Sequence, residues 1–294
     1  MITSGQFIIL RHLLKVALAA LVVLDGSAHF LAGQQVPPVD DAQVISFYPV
    51  AELTKPRGAQ VTLRGARLAN PKDWPASFYS IHPGGSCTST LVGPRALLTA
   101  AHCAPDKAKV VIKLSGTVYS GTCARSDLYS PNSADGRSAD WAICLMDSDV
   151  PAIRYETINA DSSRLKVGSQ LLLTGFGCTQ ATGSGGNDGN YRIGEANISV
   201  LPTGNNNDIL TSGEVALCYG DSGGGAFLFL DSAKKKRVQV SVNSRIQSEN
   251  GQLGNNSYLS SLSTPAAQSF LKTWATANSA DICGLNPGAH NCRE

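Results

Sequence analysis

Charge is scarce in this chain. Only 16% of its 294 residues are Asp, Glu, Lys or Arg and the net charge is +2, which argues against a nucleic-acid partner held by phosphate electrostatics. Long apolar runs are missing too: the stretch from Val16 to Leu24 falls well short of the ~20 residues a membrane-crossing helix needs. Arg11, His12 and Lys15 precede that stretch and the small residues Gly26 and Ala28 follow it, the pattern of a secretory signal cut after Ala28. Residues 1–28 are therefore expected to be removed, leaving a secreted chain with no stable membrane anchor. No two cysteines stand in a Cys-x-x-Cys pair, which disfavours a thiolate metal site. Eight cysteines nevertheless follow the signal, and an even number in an exported chain points to disulfides.

What chemistry the sequence carries is concentrated in three short stretches. Cys218-Tyr219-Gly220-Asp221-Ser222-Gly223-Gly224-Gly225 holds a serine between glycines with a carboxylate beside it. A serine hydroxyl is a weak nucleophile at its free pKa, so such a loop calls for a base and for N–H donors to an oxyanion. Leu97-Leu98-Thr99-Ala100-Ala101-His102-Cys103 supplies an imidazole after an apolar run, and Asp140-Trp141-Ala142-Ile143-Cys144-Leu145 supplies a carboxylate at the head of another. The order His102, Asp140, Ser222 disfavours the nucleophile elbow of an α/β-hydrolase esterase, where serine comes first. Only His290 follows Ser222, and Ala226-Phe227-Leu228-Phe229-Leu230 reads as a buried strand, not the helix an elbow requires.

These stretches, in this order, resemble the chymotrypsin and trypsin family of serine proteases over roughly Trp74 to Ala277. The resemblance implies an all-β fold of two packed six-stranded antiparallel β-barrels with a C-terminal helix and the site between the barrels. It implies a serine endopeptidase that needs no cofactor and no metal, acts on protein or peptide substrates and is open to protein inhibitors. His102 would be the base, Asp140 its orienting carboxylate and Ser222 the nucleophile, with the N–H groups of Gly220 and Ser222 as oxyanion hole. Ser241, in Gln239-Val240-Ser241-Val242-Asn243, matches the family serine that borders the substrate and supports the aspartate. Ala216, followed by Leu217, falls at the base of the specificity pocket, with Asn243 and Asn256 on its walls, so a small or medium neutral residue is expected before the scissile bond. Glu214 is the carboxylate that a shifted loop would turn inward to select Arg or Lys. A catalytically inactive relative that keeps the fold as a binding module is the competing class.

Together with chain order, the resemblance implies the pairs Cys87–Cys103, Cys123–Cys144, Cys178–Cys218 and Cys283–Cys292. Residues 29–67, broken by Pro37-Pro38, Asp40-Asp41 and Pro56, read as a propeptide or N-terminal arm, and 68–278 as the protease domain. The tail 279–294 carries two cysteines and no recognisable role. The family's Ile-Val-Gly-Gly N-terminus is missing; the nearest cleavage candidates follow Arg57, Arg64 and Arg67. This bears on Asp221, which the family pairs with that new ammonium and which otherwise needs an internal partner. Short apolar runs such as Ser89 to Val92, Ala96 to Leu98 and Leu171 to Gly177 recur at all-β spacing. Pro265 to Ala275 has helical spacing with Ser263 or Thr264 as cap, and Lys234-Lys235-Lys236-Arg237 reads as a solvated hairpin tip.

Overall fold

A computed structural model describes residues 44–52, 65–82, 85–151, 154–178, 180, 182–183, 189–249 and 252–293. The expected signal and most of the segment 29–67 lie outside the described residues. Strands β1 (Ile45–Pro49) and β2 (Arg67–Leu68) come first, followed by β3 (Ser77–His82), β4 (Gly85–Gly93) and β5 (Ala96–Thr99). Next come β6 (Lys109–Leu114), β7 (Thr117–Arg125), the short helix α1 (Ala134–Ser138) and β8 (Ala142–Met146). All of these strands except β2 close into one barrel, in the order β1-β3-β4-β5-β8-β7-β6. The second barrel takes β9 (Gln170–Gly175), β10 (Arg192–Val200), β11 (Asp208–Ser212), β12 (Gly225–Phe229), β13 (Arg237–Glu249) and β14 (Gln252–Ser261). It closes through β10 and β11, with β2 added on the side of β10.

The expected trypsin-like pair of barrels is therefore present, but the first has seven strands where six were expected. The addition is β1, which pairs antiparallel with β3 and parallel with β6. Its residues alternate strictly: Ile45, Phe47 and Pro49 are buried while Ser46 and Tyr48 are half-exposed. Phe47 joins Phe78, Leu91, Leu97 and Ile112 in the barrel core, a contribution of about 1.5 to 3 kcal/mol for such a side chain. Five residues of period two between proline-rich flanks are too short a signal to stand out from an extended arm.

Helix α2 (Pro265–Ala277) follows β14. Thr264 caps it, accepting from the Ala267 N–H at 3.3 Å, and Pro265 occupies the first turn, where no donor is missed. Ala267, Leu271, Trp274 and Ala275 form its buried face. All four expected disulfides form. No described helix is long and apolar enough to cross a membrane.

The tail beyond α2 docks on the segment between the barrels. The Tyr155 and Ile158 N–H groups donate to the Asn291 and Cys283 carbonyls at 3.0 and 2.9 Å, and the Arg293 N–H donates to Tyr155 at 2.8 Å. Beneath this latch Glu156 is fully buried, accepting from Arg237 Nη2 at 2.5 Å and Nε at 3.1 Å, with Arg293 Nε 3.3 Å away. Arg237 also stacks 3.5 Å over the Trp74 ring. Only part of the basic run is thus a solvated tip: Lys234, Lys235 and Lys236 are exposed, whereas Arg237 is buried. Its anion lies 81 residues away in sequence, beyond the reach of local patterning. Glu156→Gln leaves two arginines without their buried counter-charge, so a loss of about 3 to 5 kcal/mol is expected, read as a lower midpoint in urea. A midpoint within error of the parent chain would show the cluster to be dispensable.

Candidate active site

His102 sits in the turn that leaves β5, tied back by the Cys87–Cys103 disulfide next to it. Asp140 lies just before β8 and is 1% exposed. Its Oδ1 accepts the His102 backbone N–H at 2.9 Å, and its Oδ2 lies 2.7 Å from His102 Nδ1. A second donor reaches Oδ2 at 2.7 Å, the hydroxyl of Ser244. Burial pulls the imidazole pKa down, but the hydrogen bond and the charge of Asp140 outweigh it, so His102 stands above its ordinary value; Arg245 opposes them weakly.

Ser222 reaches the same cleft from the glycine loop, its hydroxyl donating to the Ser244 carbonyl at 3.4 Å. The loop is clamped from the first barrel. Thr88 of β4 donates its N–H to the Ser222 carbonyl at 2.7 Å and its hydroxyl to the Gly220 carbonyl at 2.9 Å. Gly223 has φ +81°, and a Cβ there would stand 2.2 Å from the Thr88 carbonyl oxygen, so the close approach of the barrels demands glycine. The N–H groups of Asp221, Gly223 and Gly224 are each taken by a backbone carbonyl. Those of Gly220 and Ser222 donate to no partner among the described residues.

Asp221 points inward and is fully buried. Burial pushes its carboxyl up to about 7, against N–H donors from Cys218 and Gly177 and the charge of Arg192, all of which favour the ionised form.

A cleft of about 380 Å³ contains His102, Asp140 and Ser222. Leu217, Ile246, Ser248, Tyr129, Arg137 and Arg245 also line it. Of the expected pocket residues only Leu217 is among these. Ala216 is buried. Asn243 lies behind the nucleophile loop, donating to the Thr174 carbonyl at 2.8 Å, and Asn256 is occupied with Gln247 Oε1 at 2.6 Å. Glu214 is exposed and does not turn inward. The serine that supports Asp140 is Ser244, not Ser241.

Strand geometry explains this correction. Ser241 is paired with Ala226 and Ser261, beside a shift in the β12 ladder, and its side chain is buried in the sheet, whereas the β14 ladder shifts between Asn243 and Arg245, across Ser244, and again between Ile246 and Ser248. A bulge re-aims side chains, and it leaves Ser244, three positions later, facing Asp140. Two serines at that spacing are indistinguishable in the sequence without the Trp-Gly that usually follows the functional one. Arg245 pairs with the buried carboxylate of Asp208, at 3.1 Å from Nη1 to Oδ1, and stacks 4.5 Å over Tyr258. Neither Arg245 nor Ile246 carries a local sequence signal.

A family model described as Trypsin matches residues 64–258. Among solved structures, human heparin binding protein aligns at 16% identity over 73% of this chain and 96% of its own, with a TM-score of 0.54. An atomic-resolution structure of the same protein aligns at 16% identity over 76% and 98%, TM-score 0.55, and a mutant form at 14% over 73% and 96%, TM-score 0.56. At such identities these structures speak for the fold alone. No curated protein matches the sequence.

Proposed function

This chain belongs to the trypsin family, and we propose that it is a secreted serine endopeptidase acting through His102, Asp140 and Ser222. One observation carries the reading: Asp140 holds His102 through Nδ1 at 2.7 Å, in the cleft that Ser222 enters from its glycine loop. With Nδ1 donating to Asp140, Nε2 is the basic nitrogen. Ser222 gives up its bond to Ser244, passes its proton to His102 Nε2 and attacks the peptide carbonyl carbon. The oxyanion is taken by the free N–H groups of Gly220 and Ser222, each such donor being worth about 3 to 4 kcal/mol in the transition state. His102 then protonates the leaving amine, and water, deprotonated by the same nitrogen, releases the acyl group.

The reading is tested by a fluorophosphonate probe, which should modify the secreted protein at Ser222, located by peptide mass. An unmodified protein would favour the second reading, a binding module on the same fold, in line with the heparin binding protein to which it is structurally similar.

Specificity follows from what the cleft offers a side chain. Among the described residues Asp140 is the one carboxylate lining it, and both oxygens are already engaged, while Arg137 and Arg245 add positive charge. A substrate Arg or Lys would be buried without a partner, at a cost of several kcal/mol. Ile246, which lines the same cleft, limits bulk. We expect substrates with Ala or Val before the scissile bond to exceed Arg or Lys substrates by at least about tenfold in kcat/KM, and Ile246→Gly to admit Phe. Fastest cleavage after Arg or Lys would overturn this assignment of the pocket.

A further inference from the structure

The carboxylate of Asp221 lies against bare backbone. A Cβ at Gly175 or Gly177 would stand 2.2 or 2.4 Å from one of its oxygens, and the Gly177 and Cys218 N–H groups donate to it at 2.7 and 2.8 Å. Gly175, the last residue of β9, is paired across the ladder with Arg192, the first of β10. Side chains of directly opposed antiparallel residues lie on one face of the sheet. The Arg192 side chain therefore leaves β10 on the face where Asp221 meets β9. Arg192 is 1% exposed, one of the largest fully buried side chains of the protein. Its Nη1 donates to the Asn190 carbonyl at 2.6 Å, and its positive charge favours the ionised form of Asp221.

A second, independent observation concerns β1. In this chain β1 precedes the expected cleavage candidates, yet Ile45 and Phe47 are part of the first barrel's core. All eight cysteines lie at position 87 or beyond. A cut between β1 and β2 would leave a strand of the barrel held by packing and ladder hydrogen bonds alone.

We propose that Arg192 is the built-in counter-charge of Asp221, so that the nucleophile loop is formed in the uncleaved chain and no newly cut N-terminus is needed for activity. The proposal rests on the serine-protease reading. Arg192 acts as a positioning residue: it favours the ionised form of Asp221, ionised Asp221 keeps the N–H groups of Gly177 and Cys218, and these fix the backbone on which Gly220 and Ser222 present their own.

The test uses the full chain with Arg57, Arg64 and Arg67 all replaced by Gln, its continuity from β1 through β2 verified by intact mass. It should hydrolyse peptides within about threefold of the parent chain and react with a fluorophosphonate. Activity that appears only after a cut between residues 49 and 67 would overturn the proposal while leaving the protease reading standing. No reaction of either form would remove the protease reading itself. Arg192→Met supplies a readout that a packing role would not move. Without the opposing charge, the Asp221 carboxyl is pushed further up. At pH 7 the variant should lose about tenfold in kcat/KM and regain most of it by pH 9, while Arg192→Lys keeps the parent profile. An equal loss at every pH, or an unchanged profile, would overturn the assignment; the uncleaved-chain measurement stands if Arg192→Met does not fold.

Discussion

Ser222→Ala should reduce peptide hydrolysis by about 10⁵- to 10⁶-fold, to the level left by substrate binding and the oxyanion donors alone. The fold should not register the change. The Ser222 hydroxyl makes a single long hydrogen bond, 3.4 Å to the Ser244 carbonyl, while the loop is held by backbone bonds from Thr88, Asn243 and Gly224 that alanine keeps. Because nucleophile and base act as one unit, His102→Ala should cost nearly as much, and the double variant should be little worse than either alone. Purified Ser222→Ala protein with more than about a thousandth of the parent rate would place the nucleophile elsewhere. Multiplying losses in the double variant would mean that His102 acts on a step not shared with Ser222.

What could be read in the sequence was what is encoded locally. The glycines of the nucleophile loop, the capped and amphipathic α2 and the apolar runs that became β4, β5 and β9 each declare themselves within a few residues. The His102, Asp140 and Ser222 contexts could be read because each is a contiguous stretch. What escaped depends on register or on contacts distant in sequence. Ser244 supports Asp140 only because β13 is bulged, and a bulge leaves no mark that separates it from Ser241. Arg237 reads in the sequence as part of a solvated tip because Glu156, which draws it inward, lies in another part of the chain. Strand β1 has no local signature because its barrel neighbours, Phe78 and Ile112, are what make its five residues a strand.

The second large effect belongs to Asp140. Asp140→Asn should lower kcat/KM by about 10⁴-fold at pH 7, although the exchange is nearly isosteric. The carboxylate accepts three bonds, from the His102 N–H, His102 Nδ1 and the Ser244 hydroxyl. A carboxamide has one oxygen. If that oxygen keeps the His102 backbone N–H, the amide nitrogen faces Nδ1, which must then accept, and the imidazole proton moves to Nε2. An imidazole so held cannot take the proton of Ser222. Ser244→Ala removes one neutral donor and leaves the carboxylate, so a loss of only about ten- to a hundredfold is expected, the worth of one hydrogen bond to a charged group. The titration of His102 separates charge from geometry. In the parent chain Asp140 raises the imidazole pKa above about 6.5; in Asp140→Asn the raising influences are gone, and burial and Arg245 carry it below that value. Since the base must be neutral, parent activity exists above the His102 pKa and is lost as pH falls through it. Asp221, at about 7, must lose its proton in the same range, so the parent acid limb should approach a two-proton slope and that of Asp140→Asn a one-proton slope set by Asp221. An Asp140→Asn protein whose His102 proton resonances still titrate above 6.5, or which keeps the parent rate at pH 8, would remove Asp140 from the site.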